Sequence, residues 1–174
     1  MNGKEQRSDR FRFRQVDAGG RQLCTVQGKM FVSSLDLSGS SAVFIRRFMN
    51  SDLAEHMDNG GYLVEAYTET EAIEAIVTEY GLSAYGHDRF AVEELNWIGY
   101  IYRYWVLATG MSSKRVFKIA GSREMRTFYY PYHSLDPEQA IVRIMEAKGI
   151  EPQGDMIELG VKILRRNLAL SHQQ

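Results

Sequence analysis

Residues 96–105 read Asn-Trp-Ile-Gly-Tyr-Ile-Tyr-Arg-Tyr-Trp, and the interpretation of this stretch decides the fold. Five of its ten residues are aromatic, and one arginine, Arg103, stands among them. Residues three and four apart share one face of a helix, so the stretch forms two adjacent apolar stripes. The stripes are Trp97, Ile101, Tyr104 and Ala108, and Ile98, Tyr102 and Trp105. Together they cover well over ~100° of the circumference, which predicts a central helix contacted on several sides.

Two interpretations of this stretch are open at the level of sequence. In the first it is the middle of the core, since large apolar side chains are commonly buried. In the second, Arg103 lies on aromatic faces and binds a carboxylate or phosphate of a partner. The two are compatible at a helix end. Gly99 costs about 1 kcal/mol relative to alanine in a helix interior, which predicts the close approach of another element.

The ends of this helix follow from its flanking residues. Asp88 is a candidate N-cap, and Glu93 and Glu94 supply negative charge in the first turns, where the helix dipole favours it. Gly110 is the expected residue just after the last turn, near Ala108.

Further helices are predicted on both sides of it. Serines at 38, 40 and 41 precede apolar residues at helical spacing over 43–57, and Asn59-Gly60-Gly61 ends that pattern. Thr68 and Glu71 form a capping-box pattern that predicts a helix over 68–80. Asp136-Pro137 predicts a helix start, with Gly149 as its end.

A small N-terminal β-ribbon is predicted over residues 10–35. Residues 11–14 alternate apolar and polar side chains, 17–20 have turn chemistry, and 22–26 and 30–32 are candidate return strands. Residues 116–119 form another candidate strand. Residues 128–133 are expected to be a loop that follows a short helix from Ser122, because the residue before Pro131 is biased away from helix.

The predicted fold is therefore α+β and predominantly α-helical, a helical domain around a central aromatic helix with an N-terminal β-ribbon. Residues 1–9 are expected to form a flexible tail and 10–170 a single domain. Within it we place the ribbon at 10–35, the helical body at 38–149 and a C-terminal helix at 155–170. Composition is that of an ordinary globular protein.

Charge and composition exclude several classes of function. The net charge of −1 gives no global field that would attract nucleic acid or an anionic membrane. No apolar run reaches the roughly 18 residues that span a bilayer. The one cysteine, Cys24, has no partner for an internal disulfide. A cytoplasmic protein is the default expectation.

No residue set predicts catalysis, a metal or a cofactor. The four histidines are far apart, and none lies one helical turn from another. The best polar constellation is Tyr129, Tyr130, Tyr132, His133 and Asp136, which leads into a helix N-terminus, a natural anion site. A histidine there is a candidate acid or base, and the tyrosines are alternatively a binding surface.

Arginines suggest nucleic-acid contact as a further alternative. Arg10, Arg12 and Arg14 would project from one face of the predicted first strand. A ribbon that carries arginines is able to enter a groove of DNA or to meet an acidic protein.

Three segments resemble a bacterial family. They are residues 40–51 (SSAVFIRRFMNS), 96–105 (NWIGYIYRYW) and 130–137 (YPYHSLDP), and the resemblance covers roughly residues 38–148. Members of that family are small cytoplasmic proteins, many labelled as antitoxin-like components of toxin–antitoxin gene pairs. The resemblance implies a partner-binding protein.

The expected function is thus a non-enzymatic, antitoxin-like protein that neutralises a cognate toxin by direct contact. We expect the contact or signature residues to be Arg46, Arg47, Arg103, Tyr130, Tyr132 and His133. One alternative is a regulator that binds operator DNA through the arginine-bearing ribbon. Another is a small enzyme that works through His133 and its neighbouring tyrosines.

Overall fold

The computed structural model describes residues 13–60 and 68–150, and within these residues all regular structure is helical. Over these two ranges eight α-helices follow one another, with one turn of 3₁₀ helix at Ser34–Asp36 after the first. The helices are α1 Ala18–Ser33, α2 Ser41–Met49, α3 Asp52–Asp58, α4 Glu69–Tyr80, α5 Val92–Thr109, α6 Ser113–Ile119, α7 Ser122–Tyr132 and α8 Pro137–Ala147.

Helix α5 is the central element of the fold. It packs against α1 along most of its length and also contacts α6, α7 and α8. Ile98, Tyr102, Arg103 and Trp105 are completely buried. Buried tyrosine hydroxyls find partners as expected: Tyr102 donates to the Ala120 carbonyl at 2.6 Å. Most of the aromatic run therefore lies in the interior of the molecule, while Trp97 and Tyr100 are half-buried.

The close approach predicted at Gly99 is confirmed. A Cβ atom on Gly99 would lie 2.7 Å from the carbonyl oxygen of Gln27 and 2.8 Å from the Cα of Gly28. A Cβ atom on Gly28 would in turn lie 2.8 Å from the carbonyl oxygen of Asn96. Two glycines thus let the backbones of α1 and α5 touch where the helices cross.

The predicted N-terminal β-ribbon is wrong in the part of the chain that the structure describes. Residues 18–33 form α1, whose buried residues include Leu23, Cys24, Gln27, Met30 and Phe31, a helical spacing. The Asp17 side chain caps the helix by accepting the Gly20 N–H at 2.8 Å. Residues 13–17 have no regular secondary structure. The fold is all-helical there, and 10–12 lie outside the described residues.

Two further local predictions are wrong. Residues 116–119 belong to α6, which begins where the Ser112 hydroxyl accepts the Arg115 N–H at 3.2 Å. Residues 128–132 belong to α7, which runs through Pro131. Proline there lies one residue from the helix end, so little of the hydrogen-bond ladder is lost, and His133 N–H still donates to the Tyr129 carbonyl at 2.8 Å.

Several helix boundaries are confirmed. Thr68 and Glu71 form the predicted capping box, with Thr68 N–H donating to Glu71 Oε2 at 2.8 Å. Helix α8 begins at Pro137, and Gly110 ends α5 with φ +72°. The helix expected over 43–57 is divided instead, because Ser51 caps a new helix, α3, by accepting the Ala54 N–H at 3.1 Å.

Helix α5 begins later than its Asp88 cap predicted. Its first residue is Val92, and the Glu94 carboxylate accepts the Ala91 N–H at 2.8 Å. Asp88 pairs instead with Arg126 of α7 at 3.0 Å. The flexible tail predicted over 1–9 and the C-terminal helix predicted over 155–170 lie outside the described residues. None of the described helices is long and apolar enough to cross a bilayer.

Candidate functional site

Arg103, a predicted contact residue, lies at the centre of a buried polar network. Its guanidinium donates to Asp58 Oδ1 at 2.7 Å, to Gln27 Oε1 at 2.8 Å and to Ser113 Oγ at 3.3 Å. Burial lowers the pKa of Arg103, and the Asp58 carboxylate beside it acts in the opposite direction. The network joins four helices, α1, α3, α5 and α6. Arg103 therefore holds the fold together and presents nothing at the surface.

The aromatic platform, as we name Trp97, Tyr129, Tyr130 and His133, lies at the end of α7. Tyr129 is its centre: its ring stacks on the His133 ring at 4.7 Å and meets the Trp97 and Tyr130 rings edge-on at 5.7 and 5.6 Å. Tyr130 is 78% exposed. The structure thus brings two predicted residues, Tyr130 and His133, onto one surface and adds Trp97 from α5.

His133 is held in a defined orientation on this platform. Its Nδ1 atom lies 3.1 Å from the carbonyl oxygens of both Tyr129 and Tyr130. Carbonyl oxygens only accept hydrogen bonds, so Nδ1 carries a proton and the Nε2 atom is the one left for other partners. The neighbouring Tyr132 ring stacks instead on Phe128 at 5.8 Å and is half-buried. Asp136 is exposed and makes no side-chain cap with α8.

The basic groove is a second surface, formed where the ends of α2, α4 and α6 meet. It has a volume of about 500 Å³. Arg47 donates to the Gly81 carbonyl at 2.8 Å and its guanidinium lies 5.6 Å from the centre of the Tyr80 ring. The lining residues are Arg46, Arg47, Asn50, Tyr80, Phe117 and Lys118.

Four of the six predicted contact residues therefore fall on two separate surfaces, Arg46 and Arg47 in the groove and Tyr130 and His133 on the platform. Arg46 also lines a depression that includes Ser122 and Arg123, at the start of α7. Tyr130 lies eight residues beyond Ser122 along that helix, which corresponds to about 12 Å of helix length. The platform and the basic groove lie toward opposite ends of α7.

The arginines proposed for nucleic-acid contact do not form a ribbon in the described residues. Arg14 is exposed, its main-chain N–H donates to the Ala108 carbonyl at 2.6 Å and its guanidinium lies beside Gly110. Arg10 and Arg12 lie outside the described residues. The DNA-binding alternative thus loses the ribbon on which it depended.

Some residues of both surfaces were not found by sequence reasoning. Trp97 of the platform, and Tyr80, Phe117 and Lys118 of the groove, join their sites only through tertiary packing. No local pattern pairs α4 with α6. Among the described residues no group of three or more potential metal ligands occurs.

Comparison of the chain with family models, with curated proteins and with solved structures finds no match.

Proposed function

We propose that this protein acts by binding another protein through the aromatic platform, as an antitoxin-like component that neutralises a cognate toxin by direct contact. The observation that supports the proposal is the exposure of Tyr130, 78%, on a ring cluster whose other members are held by stacked and edge-on ring contacts. An exposed tyrosine of this kind leaves a large amphipathic surface for a partner.

The platform has the properties of a binding hot spot. Tyrosine, tryptophan and arginine are enriched among the interface residues whose truncation costs the most. Tyr129, packed between Trp97 and His133, restricts the neighbouring rings before any partner arrives. Restriction of this kind lowers the ordering cost of association, about 0.5–1.5 kcal/mol for each side chain immobilised.

The resemblance of residues 130–137 to the antitoxin-like family supplies the class of partner. Tyr130 and His133 both lie in that segment and on the platform. A toxin encoded by the adjacent gene is therefore the partner that we propose.

Co-expression with the product of the adjacent gene tests the proposal. The two proteins are expected to elute together on size exclusion, and co-expression is expected to relieve growth arrest. Tyr130→Ala is expected to weaken binding by at least about tenfold, because it removes an exposed hot-spot ring. Tyr130→Phe, which keeps the ring, is the matched control and should retain most of the affinity.

Thermal unfolding separates this effect from loss of the fold. Both variants should unfold at the temperature of the unmodified protein, since surface substitutions away from packed features change stability by no more than about 0.5 kcal/mol. Separate elution of the two proteins with no relief of growth arrest would refute the proposal.

A further inference from the structure

In the part of the chain that the structure describes, the cations of the basic groove have no ion-pair partner. Across residues 13–60 and 68–150, no carboxylate pairs with the Arg46 guanidinium or the Lys118 ammonium. The third cation, Arg47, donates to the Gly81 carbonyl and faces the Tyr80 ring, and Glu79 lies on the other side of that tyrosine's hydroxyl as its hydrogen-bond partner. Three positive charges therefore face one groove of a chain whose net charge is −1.

The helix C-termini at the groove offset part of this positive charge. Arg46 and Arg47 lie in the last turn of α2, and Lys118 in the last turn of α6. Each helix C-terminus carries roughly half a negative charge, and α4 also ends at the groove. Three such ends offset about half of the three positive charges. The positive charge that remains on Arg46 and Lys118, which have no carboxylate partner in the described residues, suits a ligand that carries carboxylates.

The walls of the groove are apolar. Two aromatic residues line it: Tyr80, which is 36% exposed, and Phe117, which is half-buried. An arginine beside an aromatic face pairs with a carboxylate while apolar groups cover the ring. A ligand that matches both the charge and the walls therefore carries acidic and apolar groups side by side.

We propose that the basic groove binds a short acidic segment of the partner protein, with apolar side chains next to its carboxylates. The proposal rests on the partner-binding function above, but it concerns a different surface. It also gives the groove a role that the aromatic platform does not fill: the platform supplies ring contacts, and the groove supplies charge complementarity, which selects among partners and raises the association rate.

A protein segment fits this groove better than nucleic acid does. Duplex DNA carries one charge per about 1.7 Å of helix axis and calls for a long row of cations. Carboxylates also lie at the edges of the groove: Glu79 of α4 is a hydrogen-bond partner of Tyr80 and accepts the Asp52 N–H at 3.1 Å, and Glu124 lines the adjoining depression. They would repel a long phosphate backbone more than a short segment with one or two carboxylates.

Selection from a library of random short peptides displayed on phage tests the proposal without knowledge of the partner. The full chain is immobilised, and selection is run in parallel on Arg46→Glu. We expect enrichment of peptides with aspartate or glutamate beside leucine or an aromatic residue, and loss of that enrichment on the variant. Enrichment of basic or uncharged peptides, an absence of acidic ones, or equal enrichment on both proteins would overturn the proposal.

A synthetic copy of an enriched peptide, labelled with a fluorophore, then locates the contact. Arg46→Glu and Lys118→Glu, on two different helices, are each expected to raise its Kd by about tenfold or more. Lys29→Glu, an exposed lysine of α1, is the matched charge control and should leave the Kd unchanged. Circular dichroism confirms the helical content of each variant, and an unchanged Kd in either folded groove variant would overturn the proposal.

Two more measurements distinguish this proposal from binding at the aromatic platform and from binding of nucleic acid. Tyr130→Ala should leave the Kd of the peptide unchanged. Peptide binding at the groove is therefore measured independently of partner binding at the platform. A DNA duplex is the competitor: it should displace the peptide only weakly at physiological salt. Displacement by DNA at lower concentration than by unlabelled peptide would assign the groove to nucleic acid and overturn the proposal.

Discussion

At the scale of single residues, the buried pair of Arg103 and Asp58 dominates the energetics of the interior. The Arg103 side chain is fully buried and Asp58 is 12% exposed. Asp58 also accepts from the main chain and the hydroxyl of Ser113, both at 2.6 Å. Each oxygen of the carboxylate thus has a partner, the condition under which a buried ion pair is tolerated.

Asp58→Ala is expected to lower the free energy of unfolding by about 3–5 kcal/mol, because it leaves the Arg103 guanidinium buried without a counter-charge. The matched control is Glu146→Gln, which breaks the exposed pair with Arg143 and should cost no more than about 1 kcal/mol. Urea denaturation measures both. Equal losses in the two variants would show that Arg103 is hydrated in solution.

Cys24 gives a second prediction at this scale. Burial raises the pKa of its thiol from 9.0 to about 12. The folded state therefore keeps a proton that the unfolded state releases, so stability is fully present below pH 9.0 and falls as pH rises toward about 12. The unfolding free energy of the unmodified protein should fall more steeply over this range than that of Cys24→Ala. Parallel curves would contradict the burial of the thiol.

At the scale of secondary structure, the crossing of α1 and α5 fixes the position of the central helix. It depends on Gly28 and Gly99, where the backbones touch, and Gln27 Nε2 donates across the crossing to the Gly99 carbonyl at 3.2 Å. Gly99→Ala should cost about 1–3 kcal/mol, because the added carbon meets backbone atoms that cannot move aside.

Gly19→Ala is the control for this prediction. Gly19 lies in the first turn of α1, where a Cβ atom would meet nothing closer than 3.6 Å. Alanine there should stabilise by about 0.4–1 kcal/mol, since it restricts the unfolded chain. The unfolding temperatures of the two variants should shift in opposite directions, down for Gly99→Ala and up for Gly19→Ala. A Gly99→Ala protein as stable as the unmodified one would mean that the helices do not touch.

Helix ends were predicted correctly from the sequence wherever they depend on capping residues close by in the chain. The Thr68–Glu71 capping box, Pro137 and Gly110 each define a helix end through neighbouring residues alone. Prediction from the sequence failed for α1, because Asp17 followed by glycines at 19 and 20 indicates a turn, and glycine has a low helix propensity. The tertiary contact with α5 outweighs this low propensity, and no local pattern reports it.

The residues of the candidate site likewise divide into those that the sequence predicted and those that only tertiary packing brings together. Tyr130, His133, Arg46 and Arg47 were predicted from the sequence and are at least partly exposed on the two surfaces. Arg103 was predicted for a surface and is buried, because a single arginine in an aromatic run has the same pattern in either place. Which helices meet at the basic groove depends on packing between residues far apart in the chain.

At the scale of the whole molecule, the central position of α5 leaves the outer helices to meet partners. The platform and the basic groove lie toward opposite ends of α7, so one partner that reached both would gain from their linkage. A second contact on the same partner forms at the effective concentration set by the first, and this strengthens binding beyond either contact alone.

The measurement that tests the central claim most directly uses the two tryptophans as probes, since the chain contains only Trp97 and Trp105. Trp97→Phe leaves Trp105, which is completely buried and whose indole nitrogen has no hydrogen-bond partner among the described residues. Its emission should be strongly blue-shifted and resistant to quenching by acrylamide. Trp105→Phe leaves the half-buried Trp97, which should be quenched more readily. Red-shifted emission from Trp105, quenched as easily as Trp97, would contradict the assignment of the aromatic run to the core.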